Sequence, residues 1–377
     1  VALALHVYGL TGSASQVSFA IALELMPYVV IGPLGGVLAD RLDRKTVLVS
    51  AYLAQTVVVA LLPLTTAVGQ VYVLVFAGSL LAPVAELVRA ASLPALVGQR
   101  LFVRGSSLDI LAYNAVNVVG PPLAGIVVSL IGARPAFVIA AACSALAVLL
   151  ALRIGIPSPP RSDRRLRLRM IGVDLLEAMR GLMNHRLLRF LLLLSCTASL
   201  GWAASDVAAV VYLTENLGLE GGEYGLIRGA VSLGMALSVY FLGRFLAGLP
   251  RRQILVGGVV IAGIAYALVG FSPGLLMVLT IWFVSGLGWG AYWLVDNAYW
   301  AEATPDDMRG RVYSISLALI SSVEVGMVVV IGLLVDARGP IVALVSIGAI
   351  VTVAAIAVAG MLGAVDTNTV MATTDSE

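Results

Sequence analysis

Long apolar runs separated by short polar turns set the rhythm of this chain. After an apolar piece at 1–10, eleven runs follow at 16–38, 46–67, 71–91, 107–131, 135–156, 188–213, 224–246, 253–272, 275–300, 312–335 and 340–364. A helix needs roughly 20 such residues to cross a bilayer. Lipid offers no partner for an unpaired backbone group, so runs of this length are predicted as helices. The opening piece, Val1 to Leu10, is too short to span, and the chain starts with Val in place of Met. It is read as the outer end of a first helix whose start is missing, with no signal peptide. Counted in order, the runs give twelve predicted segments.

The polar turns repeat. Gly36-Val37-Leu38-Ala39-Asp40-Arg41-Leu42-Asp43-Arg44-Lys45 puts five charges between segments 2 and 3. At an offset of 207 residues, Gly243 is followed by Arg251-Arg252-Gln253-Ile254-Leu255-Val256, against Arg44-Lys45-Thr46-Val47-Leu48-Val49. One turn repeated between helical hairpins implies two halves of one topology, a plan that transporters use. The longest connection, 157–187, opens with Pro157-Ser158-Pro159-Pro160, which stops the helix before it. Arg161, Arg164, Arg165, Arg167 and Arg169 follow, then Leu175, Leu176, Met179, Leu182 and Met183 at helical spacing. That pattern predicts a basic linker with a short amphipathic helix on the membrane surface. The expected units are therefore a six-helix bundle at 1–156, the linker at 157–187, a second six-helix bundle at 188–364 and a tail at 365–377.

Composition narrows the class. Hydrophobic residues make up 60% and charged residues 12%, about half the charge of an average soluble domain. Mean hydropathy is +1.03. No basic face interleaved with aromatics indicates nucleic acid. Cys143 and Cys196 have neither metal-ligand nor disulfide spacing. If the loop at 39–45 is cytoplasmic, 20 of the 23 basic residues fall on that side, leaving Arg134, Arg228 and Arg338 on the other. The positive-inside rule then predicts an inner-membrane protein with both termini in the cytoplasm. A monomer is expected.

Ionisable residues inside the spans are expensive, so each needs a partner or a water-filled cavity. His6 falls in segment 1, Glu24 in 2, Glu86 and Arg89 in 4, and Asp109 in 5. Asp206 falls in 7, Arg228 in 8, Asp296 in 10 and Glu324 in 11. Segments 3, 6, 9 and 12 carry none in their cores. Every third helix is thus free to face lipid while the other eight surround something polar.

The charged turn and this distribution resemble the major facilitator superfamily, whose loop 2–3 motif is matched at every charged position; Asp43 stands where a glycine is usual. Tyr8-Gly9-Leu10-Thr11-Gly12-Ser13-Ala14, the run Asn114 to Gly125, and Pro305-Asp306-Asp307-Met308-Arg309-Gly310-Arg311-Val312 resemble its branch of siderophore, macrolide and drug exporters. The resemblance implies an all-α membrane fold of two six-helix bundles related by a pseudo-twofold axis along the membrane normal. It also implies a cytoplasmic gate, in which Asp40, Arg41 and Arg44 meet Arg309 and Arg311 at the start of helix 11. The alternative for that turn is a topological marker alone. Gly120, Pro121 and Gly125 resemble the superfamily's antiporter motif, although its earlier glycine would fall at Val116; a hinge and a plain packing site are both open.

Glu24 and Glu324 fall near mid-membrane by residue count and are the first candidates for proton coupling, with Asp206 next; each also has a structural reading. Asp206 and Arg228 offer an ion pair, and Glu86 and Arg89 a local one at i,i+3. Asp296 is expected to be solvated. His6 is a further proton candidate. Tyr28, Tyr113, Asn114, Asn117, Trp202, Trp289, Tyr292 and Trp293 are candidates for a substrate wall or, in part, for interfacial anchors. Gly286-x-Gly288-x-Gly290 lies inside an apolar run and is read as helix packing.

The expected function is a proton-coupled antiporter exporting small amphipathic molecules by alternating access. An importer or symporter is the alternative, and a non-transporting receptor a third. No cofactor or metal is expected. His-Glu-x-x-His, Gly-x-Ser-x-Gly and a phosphate-binding loop are absent from the sequence, so neither a membrane enzyme nor ATP-driven pumping is indicated. The expected partners are a small molecule, protons and the bilayer.

Overall fold

The computed structural model describes residues 2–33, 42–156, 179–218, 221–245, 249–304 and 309–361. Among them no strand occurs. The helices are α1 (Ala2–Thr11), α2 (Ala14–Val30), α3 (Arg44–Leu61), α4 (Val68–Ser79), α5 (Ala82–Ile131), α6 (Ala133–Arg153), α7 (Arg186–Val211), α8 (Gly221–Phe245), α9 (Arg251–Val269), α10 (Leu275–Ala303), α11 (Arg309–Arg338) and α12 (Pro340–Met361). Eight stretches among the described residues are long and apolar enough to cross a membrane. Predicted segment 4 is split: α4 stops at Ser79, and its continuation opens α5, with Pro83 in the first turn. Proline fits there because the first helical N–H groups need no intrahelical acceptor. α5 then breaks at Gly98, where φ 71° and ψ 162° turn the chain back into segment 5.

The 207-residue offset holds for the elements themselves. Arg44 and Arg251, Val68 and Leu275, and Ala133 and Pro340 start equivalent helices, and Ile131 and Arg338 end another pair. Gly132 (φ 83°) and Gly339 (φ 84°) make the matching one-residue turns, a left-handed conformation that glycine adopts without a Cβ clash. The repeated basic turn has a shared job as well. Lys45 Nζ donates to Leu152 O at 2.7 Å. Its equivalent, Arg252, donates to Ala359 O, which is the equivalent of Leu152. In each half a cation at the start of one helix thus holds the last carbonyls of another, where the helix dipole is negative.

Packing follows the same repeat. Within the halves α3 lies on α6 and α9 on α12; between them the main joints are α2 with α11 and α5 with α8. Under the offset these are two copies of one intra-half contact and one cross-half contact, as a twofold relation requires. The helices from the charge-free segments sit at the flanks. Their Leu53, Val57, Leu149, Ile264, Val353 and Ile356 are exposed, as lipid contact demands.

The second half is meshed more tightly. A Cβ at Gly286 would lie 2.1 Å from Val231 O, one at Gly234 2.2 Å from Phe283 O, and one at Gly258 2.5 Å from Gly288 O. The glycine run of α10 therefore serves backbone contact with α8 and α9. Linker residues 157–178 lie outside the described residues. Beyond them Leu182 is buried with Leu188, Leu192, Val312 and Ile315, so that end of the linker packs on protein.

Candidate functional site

The arginine-rich end of the bundle holds Arg44, Arg186 and Arg251; the opposite end holds the α1–α2 and α11–α12 turns. At that far end the halves are fastened together. Gly12 (φ 62°) reverses the chain into α2, and Ser13 caps the helix by accepting from Gln16 N–H. The first N–H groups of a helix lack intrahelical acceptors. Here a carboxylate from the other half supplies them: Asp336 of α11 accepts from Ala14 N at 2.8 Å, Ser15 N at 3.1 Å and Ser13 Oγ at 2.8 Å. The positive end of the α2 dipole adds to the attraction. One turn deeper, a Cβ at Gly332 would meet Ser18 Oγ at 2.2 Å, so the two helices touch backbone to side chain.

A second fastening lies beside the first. Tyr8 Oη donates to Glu215 Oε1 at 2.7 Å. Glu215 belongs to a π-helical turn, Tyr212–Asn216, that extends α7. Tyr8 and Glu215 are themselves 207 residues apart, and equivalent positions meet only at the axis relating two halves. Neither Asp336 nor Glu215 is a candidate in the sequence. The Ser13-Ala14-Ser15 start of α2 signals exposed amides, but nothing local points to an acid 321 residues away.

In the interior, α2 presents two faces. Phe19, Met26 and Val30 form an exposed apolar stripe. At about 100° per residue, Glu24 lies roughly 140° around the helix from that stripe, with Tyr28 one turn further along the same side. Glu24 is also exposed, so it opens onto space on a different side of the helix from the apolar stripe. Glu324 is half-buried and engaged on α11, which packs against α2.

The aromatic candidates divide. Trp289 is 2% exposed and Tyr292 3%, so both belong to the packed interior of α7, α9 and α10 and not to an open wall. Trp289 stacks edge-on with Trp202 at 5.1 Å and donates to Tyr266 Oη at 2.6 Å. Trp202 is half-buried beneath the Arg228 guanidinium, 5.2 Å from its ring centre. Trp293 is 45% exposed.

Asp296 is not solvated, contrary to the sequence reading; it is 6% exposed. Residue count places it two turns from the end of α10, but α7 covers it. Ser195 Oγ donates to its Oδ1 at 3.4 Å, and Tyr292 Oη donates to Ser195 Oγ at 3.0 Å. Tyr292 and Trp300 also lie within hydrogen-bonding reach of the carboxylate. Every partner described for Asp296 is neutral.

Arg89 pairs with Asp109 across the Gly98 break instead of with Glu86, which is exposed. His6 is buried, hydrogen-bonded to Thr65 Oγ1 at 2.8 Å and edge-on to Phe137, inside its own half. Asp43 caps α3, accepting from Thr46 N at 2.8 Å. Arg44 is the first residue of α3, whereas Asp40 and Arg41 lie outside the described residues. The side chains of Tyr113, Asn114, Asn117, Pro121, Asp206, Arg309 and Arg311, and the surroundings of Gly125, also lie outside them. A Cβ at Gly120 would meet nothing nearer than Val116 Cγ1 at 3.9 Å.

The comparisons with known proteins agree with this geometry. The chain is 25% identical over 342 residues to the multidrug efflux pump Tap of Mycolicibacterium fortuitum, covering 87% of this chain and 82% of that protein. It is 24% identical over 322 residues to the enterobactin exporter EntS of Citrobacter koseri, covering 83% and 75%. Among solved structures, a POT family transporter in complex with a thioalcohol-conjugated peptide superposes with a TM-score of 0.75 at 14% identity, covering 96% and 92%. The nucleoside transporter NupG gives 0.71 at 16% identity, covering 96% and 93%. The family match extends over residues 1–207 and again over 191–373, and the chain belongs to the Major Facilitator Superfamily of membrane transporters.

Proposed function

We propose that this transporter is a proton-coupled antiporter that exports small amphipathic molecules by alternating access. The observation that carries the reading is the pair of cross-half fastenings at the far end, Asp336 on the start of α2 and Tyr8 on Glu215. Two bundles that meet along α2–α11 and α5–α8 and are closed at one end can rock open there only by breaking these contacts. The basic end is taken as cytoplasmic from its excess of Arg. The relatives named as a multidrug efflux pump and an enterobactin exporter favour export, and drug, macrolide or siderophore molecules are the substrate class. Asp40, Arg41, Arg44, Arg309 and Arg311 form the opposing cytoplasmic gate, and Glu24 and Glu324 carry protons in the interior. Trp293, Tyr28 and Trp202 supply apolar contact for the substrate.

The test is an efflux panel of amphipathic drugs and siderophores in a host stripped of its own exporters. The expected result is lowered accumulation that a protonophore abolishes. Raised accumulation of a solute would instead identify an importer.

A further inference from the structure

A buried carboxylate with no cation beside it is costly, because the interior does not replace the solvation it loses. Such groups persist where they do something. Asp296 is the clearest case among the described residues. It is sealed between α7 and α10, and its partners, the Ser195 and Tyr292 hydroxyls and the Trp300 indole, are all neutral.

The partners suit a group that changes charge. A hydroxyl both donates and accepts, so Ser195 and Tyr292 can donate to a carboxylate or accept from a carboxyl by rotating one bond. The site can therefore hold either form without moving the backbone. Among the described residues, the charged side chains of the helices packed around this cluster lie elsewhere. On α7, Cys196 is adjacent and half-buried, and Arg186 and Arg189 lie at the basic end. On α9, Arg251 pairs with Glu302 and lies over Tyr299, while Arg252 is held by Ala359 O. Tyr266 is taken by Trp289. On α8, Glu223 and Arg228 lie near the far end and Tyr240 is exposed. Asp296 lies seven residues from Ala303, about 10 Å of helix from the basic end.

We infer that Asp296, with Ser195 and Tyr292, is a proton-carrying site of the second half, and this rests on the coupling proposed above. In the state closed at the far end, the carboxyl O–H bond breaks and the proton passes to water at the basic end. The carboxylate left behind is held by the Ser195 hydroxyl, which Tyr292 backs, and by the indole. In the opposite state it recovers a proton arriving from the far side, so each cycle moves one proton inward.

The purified full-length chain in lipid nanodiscs tests this by infrared difference spectroscopy across a pH series. The wild type should show a carboxyl C=O band that converts to carboxylate as pH rises, and Asp296→Asn should lose it. Tyr292→Phe, which keeps the acid, should move the midpoint of that conversion, and it carries the test if Asp296→Asn does not fold. An unchanged band in Asp296→Asn, or an unmoved midpoint in Tyr292→Phe, overturns the assignment. Efflux of ethidium, a lipophilic cation, driven by an imposed pH gradient should fall at least tenfold in Asp296→Asn; undiminished efflux also overturns the assignment. A wild type that shows the Asp296 band but drives no dye at any pH gradient counts against the exporter reading while leaving the site in place.

Discussion

Arg89 and Asp296 occupy the same position in the two halves, 207 residues apart near the basic end, yet they have been settled in opposite ways. Arg89 is answered by Asp109, and the pair is about two-fifths exposed. Asp296 is buried and has only neutral partners among the described residues. The residue equivalent to Asp109 is Ser316, itself buried, with an Oγ that finds no partner among the described residues. One backbone frame thus carries a locally neutralised charge pair in the first half and an unneutralised acid in the second. The repeat fixes the architecture, and departures from it mark where chemistry is placed.

The same asymmetry runs through packing, and two identical substitutions should expose it. Gly286→Ala puts a methyl 2.1 Å from a carbonyl oxygen of α8, and overpacking of this kind costs about 1–3 kcal/mol or more. Gly120→Ala in α5 has free space around it and removes a helix-interior glycine, which favours the fold by up to about 1 kcal/mol. Thermal unfolding of the purified protein should therefore fall for the first and hold or rise for the second. Equal destabilisation would remove the contrast and make Gly120 a required hinge.

The acids sharpen the comparison next. Glu24 opens onto space and Asp296 is sealed, so the two should fail differently. Glu24→Gln and Glu324→Gln should each weaken proton-driven export several-fold, whereas Asp296→Asn should uncouple export and leave downhill counterflow. If Glu24→Gln alone abolishes proton-driven export while Asp296→Asn does not, the coupling acid belongs to the first half.

Much of this frame is legible in the sequence. The apolar runs give the helices, the charge-free segments give the flanks, and the 207-residue offset gives the repeat down to individual helix starts. What the sequence does not give is contact across the fold. Asp336 looks like a solvated acid at a helix end until α2 is placed beside it. Asp296 looks solvated by residue count because depth along a helix says nothing of what covers its side. The same limit hides Arg89–Asp109, since local spacing favours Glu86 and only the Gly98 break brings Asp109 within reach. Pro83 marks the break in segment 4, which apolar content alone runs through.

Asp336→Ala removes three acceptor contacts from the start of α2. Loss of a helix cap costs about 0.5–2 kcal/mol, which here falls on the closed far end alone and shifts the open-to-closed ratio roughly 2- to 30-fold. A cysteine placed at Ser18 should become more reactive to an impermeant thiol reagent added from the far side. Unchanged reactivity would mean that Gly332 and the Tyr8–Glu215 contact suffice to hold the end shut. Arg89→Ala should matter less, at most about 1 kcal/mol, because its pair is half exposed; a larger loss in unfolding experiments would show that the first half also depends on its charge.

The smallest effects should come from the two cations that the repeat places alike. Lys45 and Arg252 each bind the closing carbonyls of a flank helix, Leu152 O and Ala359 O. A cation at a helix C-terminus contributes about 0.3–1 kcal/mol, less at high salt. Lys45→Ala and Arg252→Ala should therefore cost similar amounts, and both losses should shrink as salt rises. The two clamps lie in separate halves, so the double substitution should equal the sum of the singles within about 0.5 kcal/mol. Additivity would show that each half holds its own flank independently. A double substitution costing clearly more than the sum would show that each flank supports the other through the cross-half joints, and the halves would then respond as one body instead of two.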